Sequence, residues 1–122
     1  MRTATIFTGV LLALGTGAAH GAESVPREML FEAGRPKMEQ TVCIDSVIGL
    51  FGGSIEECRK QIPALVSACE AKLTIEIPES FPYSSENISK YGRAYADCVI
   101  LGYAELHKDS PEGKRSRRWL DQ

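Results

Sequence analysis

Four cysteines constrain the fold of this 122-residue chain more than any other feature of its sequence: Cys43, Cys58, Cys69 and Cys98. An even number of cysteines in a short exported chain predicts two disulfides, because an oxidising compartment favours them and a small core gains from covalent links. A zinc site would need close pairs such as CxxC, and the gaps of 14, 10 and 28 residues do not provide them. We therefore predict disulfides and no bound metal.

The first residues indicate the compartment. Arg2 precedes an uncharged, mainly apolar run, and small residues follow. This is the layout of a secretory signal peptide, and the small residues Ala19 and Gly21 favour cleavage after Gly21. The run is shorter than the roughly 20 apolar residues that a membrane span needs. We expect a signal peptide at residues 1–21 and a mature chain, 22–122, that is periplasmic, or secreted if the source has no periplasm.

Length and composition predict one small domain in the mature chain. With 43% hydrophobic and 25% charged residues, the sequence falls in the ordinary globular range. The net charge of -2 does not favour nucleic acid as a partner. Basic residues crowd the C-terminal tail, 108–122. We expect this tail to be solvated and partly frayed, and the alternative is that it docks on an acidic protein, an anionic lipid or a glycan.

Apolar periodicity predicts an all-α fold, a small disulfide-linked bundle of three to five helices. The pattern places helices at residues 24–34, 36–51, 54–72 and 84–107, and a last short helix starting at Ser110. Ser24 is the expected cap of the first helix. Ser54 and Glu57 form a capping box at the start of the third. The pair Gly52 and Gly53 ends the second helix.

Several residues predict departures from regular helix. Pro63 predicts a kink or a break at residues 61–63, because proline removes a hydrogen bond and crowds the preceding turn. Residues 73–78 alternate in hydropathy and predict a short extended arm. Gly92 and Gly102 lie on or beside the apolar stripe of the last long helix, and we expect close helix approach at both.

Helix geometry limits which cysteines can pair. Cys58 and Cys69 are eleven residues apart, about 16 Å along a straight helix, so they pair only if the helix folds sharply between them. In an antiparallel packing, Cys43, Cys58 and Cys98 fall within about 6 Å of one another in height, and Cys69 lies about 10 Å or more from Cys43 and Cys98. The connectivity stays open at this point.

No residue set in the sequence predicts catalysis or a cofactor. His107 is the only histidine outside the signal peptide, and its place at a helix end favours an interaction with the helix dipole. Asp45 and Asp97 lie near apolar stripes, where polar helix faces explain them. Asn87 starts a glycosylation triplet, which matters only in a eukaryotic source. We therefore expect a binding protein and not an enzyme.

The segment 78–85 is the predicted recognition element. Interfaces draw most of their energy from a few aromatic or arginine anchors, and rigid loops lose less entropy when they dock. Pro78 and Pro82 fix the backbone beside Phe81 and Tyr83. The alternative is that both rings fold inward and cover the open end of the bundle.

The chain resembles the small periplasmic immunity proteins that protect bacteria from effectors delivered by type VI secretion. The resemblance lies in the export signal, the helical build, the cysteines on helical stripes and the helix around residues 98–103. It implies a protein that binds a toxic enzyme tightly and blocks its active site. The alternatives are a periplasmic stress or folding helper, and a divergent small secreted enzyme. A homodimer is also open.

Overall fold

The computed structural model describes residues 23–120, so the predicted signal peptide lies outside the described residues. The elements in chain order are β1 (Ser24–Pro26), α1 (Arg27–Val42), α2 (Asp45–Phe51), α3 (Ile55–Glu76), β2 (Ser80–Pro82), α4 (Ser85–Leu106) and α5 (Pro111–Leu120). The predicted fold, a helical bundle joined by disulfides, is confirmed. None of the helices in this range combines enough length with enough apolar residues to cross a bilayer.

Helices α1, α3 and α4 form the body of the bundle, and α3 runs opposite to the other two. Arg27, at the start of α1, donates to the carbonyl of Ile77 beyond the end of α3, at 2.8 Å. Gln61, early in α3, meets His107 at the end of α4. The largest side chains that are fully buried between the helices are Tyr95, Tyr103, Phe31, Val42, Val99 and Cys58.

Different elements close the two ends of this body. Strands β1 and β2 pair antiparallel at one end, with Val25 opposite Phe81. Both of these central residues are buried, because alternate residues of a strand point to opposite faces. We call this the ladder end. Helices α2 and α5 lie at the other end, which we call the α5 end.

Helix α1 differs from the prediction of two helices at residues 24–34 and 36–51. It is continuous through Gly34 and Pro36, and Ser24 belongs to β1 instead of capping a helix. Phe31 and Met38 lie two turns apart, and both are buried, so continuing the helix keeps one apolar stripe against the core. A Cβ on Gly34 would lie 2.8 Å from the Tyr95 ring. This glycine permits close packing and does not end the helix.

The expected signals at the start of α3 and at the end of α2 are confirmed. Ser54 accepts a hydrogen bond from the backbone N–H of Glu57 at 3.1 Å. Gly52 and Gly53 follow α2 with φ of 99° and 85°, a region that favours glycine. The second predicted helix therefore ends where expected, although its beginning lies at Asp45.

The break predicted at Pro63 is not observed, and α3 is continuous through this residue. The buried residues on one face of α3 lie on both sides of the proline. Burying them stabilises the continuous helix by more than the lost hydrogen bond destabilises it. The extended arm predicted at residues 73–78 was also wrong. Leu73 and Ile77 are both buried, and their spacing of one helical turn brings them to the same face when the helix continues to Glu76.

The disulfides join Cys43 to Cys58 and Cys69 to Cys98. Cys58 and Cys69 do not pair, as helix rise predicted. The estimate that Cys69 lies 10 Å or more from Cys98 was wrong, since their Cα atoms are 5.9 Å apart. Helix α3 ends about one turn later than predicted. The two helices are therefore offset along their axes from the positions assumed in the estimate. The Cys69–Cys98 disulfide therefore links α3 to α4, and the Cys43–Cys58 disulfide links the turn after α1 to the first turn of α3.

The two glycines predicted at helix contacts differ. A Cβ on Gly102 would lie 2.9 Å from Leu65 Cδ2, so α3 and α4 approach closely there, as expected. A Cβ on Gly92 would have no atom within 4 Å. The expectation for Gly92 was wrong, because this side of α4 faces a groove beside α1.

The basic tail is not frayed over its described part. Residues Pro111–Leu120 form α5, as the predicted start near Ser110 implies. The Ser110 hydroxyl donates to the Phe51 carbonyl at 2.8 Å and accepts from the Gly113 N–H. The Ser116 hydroxyl donates to the Leu50 carbonyl. These bonds tie α5 to the end of α2.

We predict that the disulfides stabilise the fold unequally. Cys69 and Cys98 are separated by 29 residues, and Cys43 and Cys58 by 15. Loop-closure entropy gives about 3 kcal/mol for the shorter loop and about 0.5 kcal/mol more for the longer one. Denaturant unfolding should show a greater loss of unfolding free energy when Cys69 and Cys98 are both replaced by serine than when Cys43 and Cys58 are. Equal losses, or a greater loss for the Cys43 and Cys58 variant, would contradict the prediction.

Candidate partner-binding surface

The predicted recognition segment lies at the ladder end, and backbone hydrogen bonds hold it on both sides. The Arg27 N–H donates to the Glu79 carbonyl, and the Tyr83 N–H donates to the Glu23 carbonyl, both at 2.8 Å. The pairing of β1 with β2 lies between these two bonds. The backbone of the segment is therefore fixed by contacts with residues far away in the sequence.

Phe81 is a core residue and not a surface anchor. It is only 3% exposed, and its ring centroid lies 4.6 Å from that of Tyr91. The strand alternation that turns Phe81 inward leaves Ser80 and Pro82 exposed. The Phe81 ring therefore points inward, as in the alternative in which it covers the end of the bundle, and it is not accessible as a surface anchor.

Tyr83 lies on the surface, unlike Phe81. It is 61% exposed, and Pro78 and Pro82 beside the strand are exposed as well. The next residue, Ser84, caps α4 by accepting from the Asn87 N–H at 3.0 Å. The Asn87 side-chain amide donates to the Pro82 carbonyl at 2.8 Å, so the nitrogen of the glycosylation triplet is engaged within the fold. Tyr83 thus projects from a rigid backbone.

Sequence reasoning missed two further apolar side chains at the ladder end. Ile75 is 87% exposed, and Met29 is 55% exposed. Arg27 brings their helices together, because its guanidinium donates to the carbonyls of Thr74 at 3.0 Å and Ile77 at 2.8 Å. Periodicity could not reveal Ile75, since it lies in the last turn of α3, within the segment predicted to be extended.

Exposed carboxylates accompany these apolar residues, and they are Glu23, Glu28, Glu76, Glu79 and Glu86, of which Glu28 pairs with Arg35. Arg27 at the same end is committed to the α3 carbonyls. The cation Lys72 lies one helical turn before Glu76, on the same face of α3. We call Met29, Ile75, Pro78, Pro82, Tyr83 and the five carboxylates the ladder-end surface. It combines apolar contact area with negative charge.

A second polar cluster joins the three long helices. Arg35 donates two hydrogen bonds of 2.8 Å to the carboxylate of Glu70, and the Tyr95 hydroxyl donates to the same carboxylate. The Arg35 hydrogen bonds lower the pKa of Glu70. Burial, together with the Glu70 carboxylate, raises the pKa of Tyr95. Since Arg35 also pairs with Glu28 at 3.1 Å, its charge is satisfied within the fold, and the cluster connects helices.

The other candidates for a catalytic or metal-binding role are His107, Asp45 and Asp97, and their positions in the fold are those of structural or surface residues. The His107 ring stacks on Tyr103 with centroids 4.3 Å apart, and its Nε2 lies 3.0 Å from Gln61 Oε1. His107 is the C-cap residue of α4, the helix end at which the sequence places it. Asp45 and Asp97 are exposed, in agreement with polar helix faces. Within residues 23–120, no three His, Cys, Asp or Glu side chains group as metal ligands.

Comparisons with protein-family models, with curated proteins and with solved structures each found no match.

We predict opposite effects for the two rings of the recognition segment. Phe81→Ala should cost about 3–5 kcal/mol of unfolding free energy, because the ring leaves a cavity in the core. Tyr83→Ala should change stability by no more than about 0.5 kcal/mol, as is usual for an exposed side chain. Chemical denaturation of both variants tests this. A large loss for Tyr83→Ala would show that its ring supports the fold.

We also predict a pH dependence that comes from Glu70. Because the pKa of Glu70 is lower in the folded chain than its ordinary value of 4.5, its contribution to stability is present above that value and is lost as the pH falls through the folded pKa. Glu70→Gln should therefore destabilise the protein at pH 7 and less at pH 3.

Denaturant midpoints of the native protein and of Glu70→Gln at both pH values measure this difference. Glu32→Gln is the matched control, because Glu32 is exposed and lies on the same helix as Arg35. It should change the midpoint little at either pH. A Glu70→Gln loss that is the same at pH 7 and pH 3 would contradict the prediction.

Proposed function

We propose that this chain is an exported binding protein of the immunity or inhibitor type, which blocks a toxic enzyme through the ladder-end surface. The observation that carries the proposal is Tyr83, an exposed aromatic side chain on a backbone that is fixed from both sides. The two disulfides agree with an oxidising compartment. The proposal assigns the protein no catalytic step.

The rigidity of the segment favours tight binding. Tyrosine is enriched among the residues that dominate interface energies. An anchor on a preformed backbone loses little conformational entropy when it docks. Phe81 contributes indirectly, since its burial holds the strand from which Tyr83 projects. Tyr83, Ile75 and Met29 then provide apolar contacts from three elements that share one end of the bundle.

The charge of the surface determines the kind of partner. Its carboxylates favour a protein with a basic binding region, because complementary charges accelerate association and exclude partners of the same sign. Arg27 keeps its positive charge while it donates to the carbonyls at the end of α3, but the carboxylates of this surface outnumber it. The partner we propose is therefore a toxic enzyme with cationic residues around the site that is blocked.

A folding helper is the second candidate, and the distribution of exposed apolar residues disfavours it. A protein that holds unfolded clients needs a broad apolar surface. Here the large exposed apolar side chains are spread over the ladder end, the second half of α4 and the α5 end, as in Ile75, Leu101 and Leu50. Isolated apolar residues on a surface are ordinary.

We predict that Tyr83→Ala weakens binding to the partner and leaves the fold intact. The protein should be captured, with its disulfides formed, from cells that carry the neighbouring genes of its source. One stoichiometric enzyme should co-purify, and the purified protein should inhibit that enzyme. Loss of a central aromatic anchor should weaken the complex by about thirtyfold or more, the fold-change that corresponds to about 2 kcal/mol.

Leu101→Ala is the matched control, because Leu101 is 63% exposed but lies towards the other end of α4. It should bind and inhibit as the native protein does. High salt should slow association through the loss of electrostatic steering. Capture of many unrelated unfolded proteins would support the helper instead. Equal weakening by the two variants would exclude the ladder-end surface as the binding site.

A further inference from the structure

Helix α5 presents basic side chains on the face that points away from the bundle. Residues of an α-helix are 100° apart around its axis. Gly113 and Ser116 face the bundle, as Gly113 is buried and Ser116 bonds to the Leu50 carbonyl. Lys114, Arg115 and Arg118 fall on the opposite side, and all three are exposed. The helix thus has one docked face and one cationic face.

These three cations are not neutralised by the described part of the chain. Among residues 23–120, Arg117 and Lys108 both pair with Glu105, and Lys114, Arg115 and Arg118 take part in no ion pair. Glu112 is directed towards α2, since its Oε1 would lie 3.1 Å from a Cβ on Gly52. The charge of the outer face of α5 is therefore available to an external anion.

Exposed leucines accompany α5 on two sides. Leu50, at the end of α2, is 55% exposed, and its carbonyl accepts from Ser116. Leu106, at the end of α4, is 56% exposed and follows Glu105, which pairs with Arg117. A cationic helix with apolar side chains beside it suits the boundary between lipid head groups and acyl chains. A soluble polyanion would contact the cationic side chains and would not need the leucines.

We propose that the α5 end docks on a membrane surface rich in anionic lipid. The cations of α5 bind the lipid phosphates, and Leu50 and Leu106 enter the head-group region. The fold fixes this helix before it meets the membrane, because Ser110, Gly113 and Ser116 hold it against α2. Docking therefore needs no folding step, and it leaves the ladder-end surface at the opposite end of the bundle.

The test measures sedimentation with vesicles of phosphatidylglycerol and phosphatidylcholine, and with vesicles of phosphatidylcholine alone. The native protein should bind the anionic vesicles, and binding should fall when the salt concentration rises to about 0.5 M. Each basic residue near an anionic surface contributes about fivefold to binding. The triple variant Lys114→Gln, Arg115→Gln, Arg118→Gln should therefore bind about a hundredfold more weakly.

The matched control is Lys37→Gln, Lys72→Gln, Arg93→Gln, which removes three exposed cations elsewhere on the bundle. It changes the net charge equally and carries the same N-terminal segment, so any contribution of that segment cancels. This control should bind anionic vesicles within a few-fold of the native protein. Equal weakening of the two triple variants would overturn the proposal, because binding would then depend on net charge and not on α5.

A second variant separates lipid from other polyanions. Leu50→Gln with Leu106→Gln should weaken binding to anionic vesicles several-fold, because the apolar contacts are lost. It should leave binding to soluble polyphosphate unchanged. If vesicle binding is also unchanged, the leucines do not enter the membrane, and the lipid proposal is wrong. Thermal melting of each variant shows that the fold is retained, since the replaced side chains are exposed.

Discussion

The packing of Tyr95 sets the positions of the three long helices, and both ends of the molecule depend on it. Its ring meets Phe31 at 5.2 Å and occupies the space that a side chain on Gly34 would fill. Its hydroxyl bonds to Glu70, which Arg35 holds from α1. A buried hydroxyl needs a partner, and a partly buried carboxylate gains from an opposite charge. The packing of the Tyr95 ring and the hydrogen bonds among Tyr95, Glu70 and Arg35 therefore favour the same arrangement of α1, α3 and α4.

The sequence predicted correctly those helix ends whose conformation depends only on residues that are adjacent in the chain. The cap at Ser54 and the turn at Gly52 and Gly53 were found because their physics involves only adjacent backbone. The predictions of a helix start at Pro36 and of a break at residues 61–63 were wrong for a reason of magnitude. A proline inside a helix costs about 3 kcal/mol, and burying two or three large apolar side chains along one stripe recovers more than this. Helices α1 and α3 therefore continue through Pro36 and Pro63.

The rigid backbone of the candidate site was predictable from the sequence, but the directions of its side chains were not. The prolines around residues 78–82 indicated a rigid segment, whereas the direction of each side chain depends on pairing with β1, more than fifty residues earlier in the chain. That pairing turns Phe81 inward and leaves Tyr83 on the surface. Periodicity contains no information on such a contact. The same limit applies to α5, whose docking depends on Ser110 meeting Phe51 across 59 residues.

The two proposed surfaces are compatible because the bundle separates them. Helix α4 has 22 residues between the ladder end and the α5 end, so about 33 Å of helix lies between Tyr83 and the start of the basic segment. This distance exceeds the screening length of about 8 Å at physiological salt, so a charge at one end has little effect on binding at the other. An anionic membrane would attract the cations of α5 and repel the carboxylates of the ladder end. The bundle would then stand with Tyr83 directed away from the lipid, where a protein partner can reach it.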